Sequence, residues 1–411
     1  MNAINDNNWK KRFTLIAASQ VFSILGSSAV QFSLIWHLSE TTASALMLGF
    51  SGLAAHIPMA VLSPIAGIWA DKYDRKLICI ISDAAMGIMA LLYAVMVYFF
   101  DAPAWSIIVM LFIRGIASTV QYPATQSIIP LLVPKEELVR VNGVMQMLRS
   151  GTYILGPVLG AMLYAAFPLH IVLLTDTLGA VFACLVLLFI KTPLKAASAG
   201  TKQESFIKQF GEGLAVYKED KALLNFVICD CICMFLYSPL NTLFPLMTSD
   251  YFNLSAVYGS IAESMISVGV MLAAFLFSGF IKIKRKLITC YVGSILLGLS
   301  CAMGGMVPPT YICWYVFALS CFGLGAFSTV RSIPLSAYIQ ENVPKEKMGR
   351  AFSVLNQLYS IVMPFSLMIA SPLADIFGVH IWYVISGLLI AVTALIFSFI
   401  HTRITGEKLL K

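Results

Sequence analysis

Several ionisable side chains of this sequence lie inside long apolar stretches, where an unpaired charge is costly. They are Arg114, Arg149, Asp176, Asp230, Glu263 and Arg331, with Asp83 nearer the end of its stretch. Burial favours the uncharged form of a carboxyl group, so a buried acid can take up and release a proton. Asp230 and Glu263 stand about seven to nine residues inside their stretches, near mid-depth at ~1.5 Å rise per residue.

We therefore assign proton binding to Asp230 and Glu263, with Arg114 and Arg149 as their counter-charges. The alternative for each acid is a buried pair that only holds helices together. For Asp176 we expect a structural or surface role.

Polar, aromatic and methionine side chains recur at helical spacing on several stretches, which predicts that each of these helices has one face towards a polar cavity. Aromatic and methionine side chains give a bulky apolar ligand an adaptable wall, and amides and hydroxyls orient it. The residues assigned to this small-molecule site are Gln31, Phe32, Trp36, Gln121, Gln146, Tyr153, Met234, Tyr237 and Asn241.

Other chemistries are disfavoured by the spacing of the reactive residues. The five histidines fall at helix ends or in loops, and the nine cysteines lie mostly in apolar stretches without metal-ligand spacing. There is no phosphate-binding loop and no nucleophile–base constellation. We expect no metal, no cofactor and no enzymatic activity.

The elements that carry these residues are long apolar helices. The chain has 411 residues, of which 59% are hydrophobic and 11% are charged, far below the roughly 25% charged residues of soluble domains. About 20 apolar residues cross a bilayer, and charges, Gly and Pro divide the chain into twelve such spans. We predict helices over 13–37, 44–70, 77–100, 104–129, 138–166, 169–190, 221–248, 255–281, 287–307, 310–339, 348–376 and 379–402.

Positive charge is segregated to alternate connections between these spans. Of the 27 Lys and Arg residues, all but Arg114, Arg149 and Arg331 lie in the two termini, the alternate loops and the link 191–220. Positively charged loops stay in the cytoplasm, so both termini are predicted to be cytoplasmic. The net charge of +7 therefore reflects topology, and we expect no nucleic-acid partner.

The sequence repeats itself at an offset of 210 residues. Arg75–Ile78 matches Arg285–Ile288, and seven of the sixteen residues over 133–148 recur without a gap. The repeat predicts two six-helix halves with the same orientation, 1–190 and 221–411, joined by a cytoplasmic linker 191–220. Parallel repeats of this kind, with a site near mid-membrane, are typical of transporters.

Two motifs resemble signatures of the major facilitator superfamily. Gly67, Asp71 and Arg75 lie in the loop after the second span, as in motif A, and Gly156-Pro157 lies in the fifth span, as in motif C of antiporters. The resemblance implies that these residues gate the transport cycle. The alternatives are a solvated basic loop for the first motif and a packing kink for the second.

The resemblance covers essentially the whole chain and is nearest to bacterial drug exporters, the group that includes macrolide efflux proteins. It implies an all-α integral membrane fold of twelve helices in two bundles related by a pseudo-two-fold axis. It also implies a monomer in the plasma membrane that exports a small hydrophobic substrate in exchange for protons. The alternatives are an exporter of an endogenous metabolite, siderophore or lipid-like compound, and a non-transporting membrane receptor or scaffold.

Overall fold

The structure of this chain, a computed structural model, describes residues 9–100, 102–134, 137–189, 206–279 and 283–406, and no β-strand occurs within these ranges. The helices are α1 Trp9–Thr42, α2 Ala45–Lys72, α3 Arg75–Phe99, α4 Trp105–Leu132, α5 Leu138–Ala166, α6 Leu169–Phe189, α7 Phe206–Glu219, α8 Lys221–Leu246, α9 Ala256–Gly279, α10 Lys286–Met306, α11 Tyr311–Asn342, α12 Lys345–Phe377 and α13 Val379–Thr405. A π-helical turn, Met247–Tyr251, extends α8.

Twelve of these helices correspond to the twelve predicted spans, and the all-α membrane fold is confirmed. Among the described residues, eleven are long and apolar enough to cross a membrane, and α5 contributes a shorter apolar segment, Gly151–Ala166. The remaining helix, α7, lies in the predicted link and was not foreseen. Asp220 separates it from α8, because its side chain caps α8 by accepting hydrogen bonds from the Ala222 and Leu223 amides.

The internal repeat sets where equivalent helices stop. Val133 ends α4 and Val343 ends α11, both in an extended conformation and both followed by proline. A residue before proline is driven out of the α region, and proline has no amide hydrogen with which to continue the helix. The matched Val-Pro pairs therefore terminate the two helices at equivalent positions.

The described helices fall into two compact units. The first unit contains α1, α3 to α6 and α2 from Ser51 onward; the second contains residues 43–50 and α7 to α13. Within the second unit, Asp375 of α12 accepts hydrogen bonds from the Ser44 hydroxyl and the Leu46 amide, and so caps the first turn of α2.

Equivalent helices make equivalent contacts inside each unit. In the first unit α3 packs on α4 and α6, and α1 packs on α5 and α6. In the second unit α10 packs on α11 and α13, and α8 packs on α12 and α13. Each unit therefore builds its own core from the same pairs of repeat-related helices.

A matched glycine brings two helices close together in each unit. A Cβ placed on Gly115 of α4 would lie 2.8 Å from the Ala55 carbonyl oxygen of α2, and one on Gly325 of α11 would overlap the Ile266 carbonyl of α9. Small residues at such crossings let helix backbones approach in a membrane. The hydroxyls three and four residues after each glycine return hydrogen bonds to its carbonyl.

The Gly156–Gly160 segment of α5 makes a close contact of its own with α1. A Cβ on Gly156 would overlap the Ser28 side chain, and one on Gly160 would lie 2.5 Å from the Ala29 carbonyl oxygen. Gly151, five residues before Gly156 on the same helix, has open space around it. The motif therefore fixes the α1–α5 distance, with Pro157 buried between the two glycines.

We expect Gly160→Ala to lower the stability of the protein in detergent by about 1–3 kcal/mol, because the added methyl group meets backbone that cannot move aside. Gly151→Ala is the matched control and should leave the melting temperature unchanged or raise it slightly, since alanine favours helix. Thermal unfolding of the purified variants measures both. Equal melting temperatures for the two variants would contradict the close contact.

Candidate functional site

The first unit contains a partly open cavity of about 450 Å³. Its lining comes from α1 to α5 and is mostly small, hydroxyl-bearing, amide or apolar. The lining residues are Gln20, Ser23, Ile24, Ser27, Ser28, Gln31, Ala55, His56, Met86, Leu111, Arg114, Gly115, Ser118, Gln121, Tyr122, Thr125 and Tyr153. On α1 they recur at intervals of three or four residues, so one helical face lies against the cavity.

Arg114 of α4 is the one Lys, Arg, Asp or Glu among the described residues that line this cavity. It forms a buried ion pair with Asp176 of α6, and its Nη2 donates to the Ser27 carbonyl oxygen at 3.2 Å. The Ser27 hydroxyl donates to the second oxygen of Asp176 at 2.6 Å. These contacts hold α1, α4 and α6 together around one compensated charge.

Asp176 is therefore not at the surface. Of the two roles expected for it, structural or surface, the surface role is wrong. Only 2% of the residue is exposed, because it lies against Gly26 on α1, whose position leaves no room for a side chain: a Cβ there would meet the Thr175 carbonyl oxygen at 3.0 Å. The close α1–α6 crossing carries Asp176 into the interior.

A second polar network lies inside the second unit. Arg331 of α11 donates from Nη1 to Asp230 Oδ1 of α8 at 2.6 Å, and its Nη2 lies 3.1 Å from the Met234 sulfur. The Tyr359 hydroxyl of α12 donates to the other oxygen of Asp230. Both charged residues are buried, so both oxygens of the acid are satisfied and its charge is matched.

The prediction that Arg114 is the counter-charge of Asp230 is wrong. Arg331 pairs with Asp230, and Arg114 pairs with Asp176. The reason lies in helix adjacency: a hydropathy pattern shows which helices carry charge but not which of them are neighbours. The side chain of Arg149 lies outside the described residues.

Matched positions of the two halves carry neutral residues in one unit and charged residues in the other. Gln121 is the equivalent of Arg331 at the offset of 210, and Gln20 is the equivalent of Asp230. Where α11 presents a guanidinium to a buried acid, α4 presents a neutral amide, and Gln121 Nε2 donates to Asp83 at 2.6 Å. The two units thus share a scaffold and differ in where they hold charge.

Three of the residues assigned to a small-molecule site line the first unit's cavity: Gln31, Gln121 and Tyr153. Tyr153 is 65% exposed, so the cavity is open at that edge. The side chain of Gln146 lies outside the described residues.

Phe32 and Trp36, which were also assigned to that site, are not in the cavity lining. Both are buried, and their rings stack on each other with centroids 5.8 Å apart. Trp36 also donates to Glu40 from its indole nitrogen at 2.6 Å. The two residues are one turn apart and so share a face of α1, but this face differs from the one that carries Gln31.

The remaining predicted site residues belong to the second unit. Met234 contacts the Arg331 guanidinium, Tyr237 is buried one turn further along α8, and Asn241 is exposed. Glu263 lies on α9 and is half-buried, and no ion pair or hydrogen bond joins its side chain to the described part of the chain.

The motif residues of the sequence analysis fall at helix ends and crossings. Gly67 and Asp71 lie near the end of α2, the side chain of Asp71 lies outside the described residues, and Arg75 is the first residue of α3. Gly156 and Pro157 lie in the α5 segment that contacts α1.

Sequence reasoning missed two polar residues of this region. His56 was placed at a helix end, but it stands eleven residues inside α2, lines the cavity and hydrogen-bonds the Gly52 carbonyl at 2.8 Å. Asp83 was noted but given no role, although it is fully buried and bonded to two residues of the cavity lining. The available signal was its helical spacing with Cys79, Met86 and Ala90, which places Asp83 on an apolar face.

Comparison with known proteins identifies the family to which this fold belongs. The family model of the Major Facilitator Superfamily matches residues 16–367. The chain belongs to the Major Facilitator Superfamily. The resemblance found in the sequence is thereby confirmed, and this member of the family is a transporter and not an enzyme.

Among similar proteins, macrolide efflux protein A of Streptococcus pyogenes is 32% identical over 390 residues, which cover 95% of this chain and 96% of that protein. The staphyloferrin A transporter of Staphylococcus aureus is 25% identical and covers 94% and 96% of the two chains. The crystal structure of a bacterial homologue of the iron transporter ferroportin aligns with a TM-score of 0.73 over 96% of this chain and 99% of that one, at 14% identity. This last similarity supports the fold alone.

We expect Asp176→Asn and Asp230→Asn each to destabilise the transporter by about 3–5 kcal/mol, because each leaves a buried arginine without its counter-charge. Thermal unfolding in detergent measures the effect. The double variant Arg114→Met/Asp176→Leu should recover much of the stability that Asp176→Asn loses, because it removes both buried charges.

The matched control is Glu219→Gln, which removes the exposed ion pair of Glu219 with Lys347 and should cost less than about 1 kcal/mol. Losses of equal size in Glu219→Gln and Asp176→Asn would contradict the assignment of a buried, compensated charge.

Proposed function

We propose that this transporter exports macrolides or similarly bulky hydrophobic drugs by secondary active antiport against protons. The observation that carries the proposal is the 32% identity with macrolide efflux protein A, which extends over 95% of this chain. Identity along the whole length means that all twelve membrane helices, and not one motif, are shared with a drug exporter.

The first unit's cavity suits such a substrate in its chemistry. Gln31, Gln121 and several serines offer hydrogen bonds to hydroxyl and carbonyl groups, while Ile24, Met86 and Leu111 offer apolar surface. Macrolides combine a large apolar ring with many oxygens, and a mixed lining of this kind offers partners to both.

For proton coupling we retain Asp230 and Glu263 as proposed sites. Glu263 is half-buried and lacks an ion pair among the described residues, so a proton can neutralise it without breaking a salt bridge. Asp230 is matched by Arg331 and Tyr359; a proton there would release the arginine. Coupling through Asp230 thus requires breaking the Arg331 contact, whereas coupling through Glu263 does not.

We propose that the protein acts as a monomer in the cell membrane with both termini in the cytoplasm. The segregation of Lys and Arg to alternate connections supports this orientation. The proposed division of the chain is an N-terminal bundle 1–190, a cytoplasmic linker 191–220 and a C-terminal bundle 221–411. Gly67, Asp71, Arg75, Gly156 and Pro157 are proposed to gate the conformational change.

A siderophore exporter is the second candidate function, and the similarity to the staphyloferrin A transporter favours it. Siderophores of the carboxylate class carry several negative charges, which would call for more cationic lining than one paired arginine. Arg114 is already neutralised by Asp176, and for this reason we place the drug exporter first.

Expression of the protein in a drug-sensitive bacterium should lower the accumulation of radiolabelled erythromycin relative to cells with the empty plasmid. A protonophore should restore accumulation, because it removes the proton gradient that drives antiport. Labelled staphyloferrin-type siderophore, measured in the same cells, distinguishes the two candidates. Lower siderophore content with unchanged erythromycin content would reverse their order.

We expect Tyr153→Ala to weaken transport of erythromycin, with an apparent KM raised about five- to ten-fold, since an aromatic contact is worth roughly 1–1.5 kcal/mol. Leu155→Ala is the matched control: it is also exposed and two residues along α5, but it is outside the cavity lining. Initial rates of efflux from loaded cells, normalised to protein amount, give both values. An unchanged KM in Tyr153→Ala would remove this residue from the substrate site.

A further inference from the structure

Asp83 of α3 is a buried acid that belongs to neither ion pair. It is 0% exposed. Its Oδ1 accepts hydrogen bonds from the Ser23 hydroxyl at 3.1 Å and from Gln121 Nε2 at 2.6 Å. Its Oδ2 is buried and has no hydrogen-bond partner within the part of the chain that the structure describes.

Among the residues that the structure describes, no cation lies against Asp83 to balance its charge. The titratable groups that face it are Cys79 on its own helix and Asp176 and Cys184 on α6. Arg114 of α4, which lines the same cavity, is already paired with Asp176, and the histidine of the cavity wall, His56, hydrogen-bonds the Gly52 carbonyl. An ionised carboxylate with one unsatisfied oxygen is costly in such a place.

The two halves of the repeat differ in the residue that faces the buried acid. In the second unit, the residue equivalent to Gln121 is Arg331, which neutralises the buried Asp230. In the first unit the same position of the helix carries an amide, which can orient Asp83 but cannot balance its charge. The contrast is between an acid that is paired with an arginine, Asp230, and an acid that has no cationic partner among the described residues, Asp83.

Asp83 is also within reach of the cavity through its two partners. Ser23 and Gln121 both line the cavity and both donate to the same oxygen of Asp83. The Ser23 hydroxyl at this boundary can both accept and donate a proton, so it can pass one from the cavity to the buried carboxylate, while the Gln121 amide orients that carboxylate. Ser27, one turn after Ser23, bonds Asp176, so one face of α1 contacts both Asp83 and the partner of Arg114.

We infer that Asp83 is an additional proton-binding site of the first unit, loaded from the cavity past Ser23 and Gln121. The inference rests on the proton antiport proposed above and deepens it by naming where one proton is held. In the step, a hydronium ion in the cavity gives a proton to the Ser23 hydroxyl oxygen as the Ser23 hydroxyl hydrogen moves to Asp83 Oδ1. The hydronium ion is left as water, the Ser23 hydroxyl is restored, and the carboxylate becomes a neutral acid. Release to the other side of the membrane reverses the step.

Infrared difference spectroscopy of the purified protein in lipid tests the site without any substrate. The wild type should show a carboxylic-acid carbonyl band that disappears as the pH is raised, and Asp83→Asn should lack that component. Asp74→Asn is the matched control on the same helix, because Asp74 is exposed and Asn retains the helix cap. An identical titrating band in Asp83→Asn and wild type would overturn the site.

Gln121→Arg provides a second variant in which Asp83 remains. It copies the arrangement of Arg331 with Asp230, so the added cation should keep Asp83 ionised and abolish the same band. If Gln121→Arg leaves the band and its titration unchanged, the absence of a cation is not what makes Asp83 titrate, and the inference fails.

Transport in inverted vesicles tests coupling. Asp83→Asn should lose erythromycin uptake driven by a pH gradient and keep the exchange of labelled for unlabelled erythromycin, which needs no net proton movement. Full pH-driven uptake in this variant would overturn the coupling. If the wild type carries no erythromycin at all, the proposed function fails, and the infrared titration still decides whether Asp83 binds the proton.

Discussion

Hydrocarbon offers no hydrogen-bond partners, so a chain that crosses it must satisfy its own polar groups. This requirement explains why the described structure is helical throughout its spans, since a helix pairs its backbone groups internally. The same requirement governs the side chains. Arg114 and Arg331 are tolerated inside the units because each lies against a carboxylate, and each pair is further bonded to a serine, a methionine or a tyrosine of a neighbouring helix.

Without water between them, the helices are held by close packing, and small residues decide where they meet. Gly115 and Gly325 show this most clearly, because they occupy matched positions of the repeat and bring matched pairs of helices together. Gly156 and Gly160 do the same for α1 and α5 and have no such pair in the second unit, where the equivalent residues are Ser366 and Ala370. The scaffold is therefore duplicated, with one crossing that is specific to the first unit.

Chemistry has diverged on this duplicated scaffold. The second unit holds a compensated acid, Asp230, between an arginine and a tyrosine. The first unit holds its compensated pair on α4 and α6, and at the position of Arg331 it has the amide of Gln121. A cavity with hydroxyl and amide lining lies beside that amide. Two similar bundles can thus serve different parts of one transport cycle.

The sequence by itself determined the number of spans, the fold, the repeat and the family, because hydropathy and the offset of 210 residues are properties of the linear chain. It also picked out Gln31, Gln121 and Tyr153 of the cavity from helical periodicity. Only the tertiary structure decided that Phe32 and Trp36 face away from the cavity.

The tertiary structure also assigned the partners of each buried charge. Asp176 and Asp230 find their arginines 62 and 101 residues away, and periodicity along one helix contains no information about which other helix lies against it. The rotation of each helix about its axis, and hence the neighbours of Asp83, is set by where small residues allow the backbones to meet. That choice depends on all the helices of a unit packing at once.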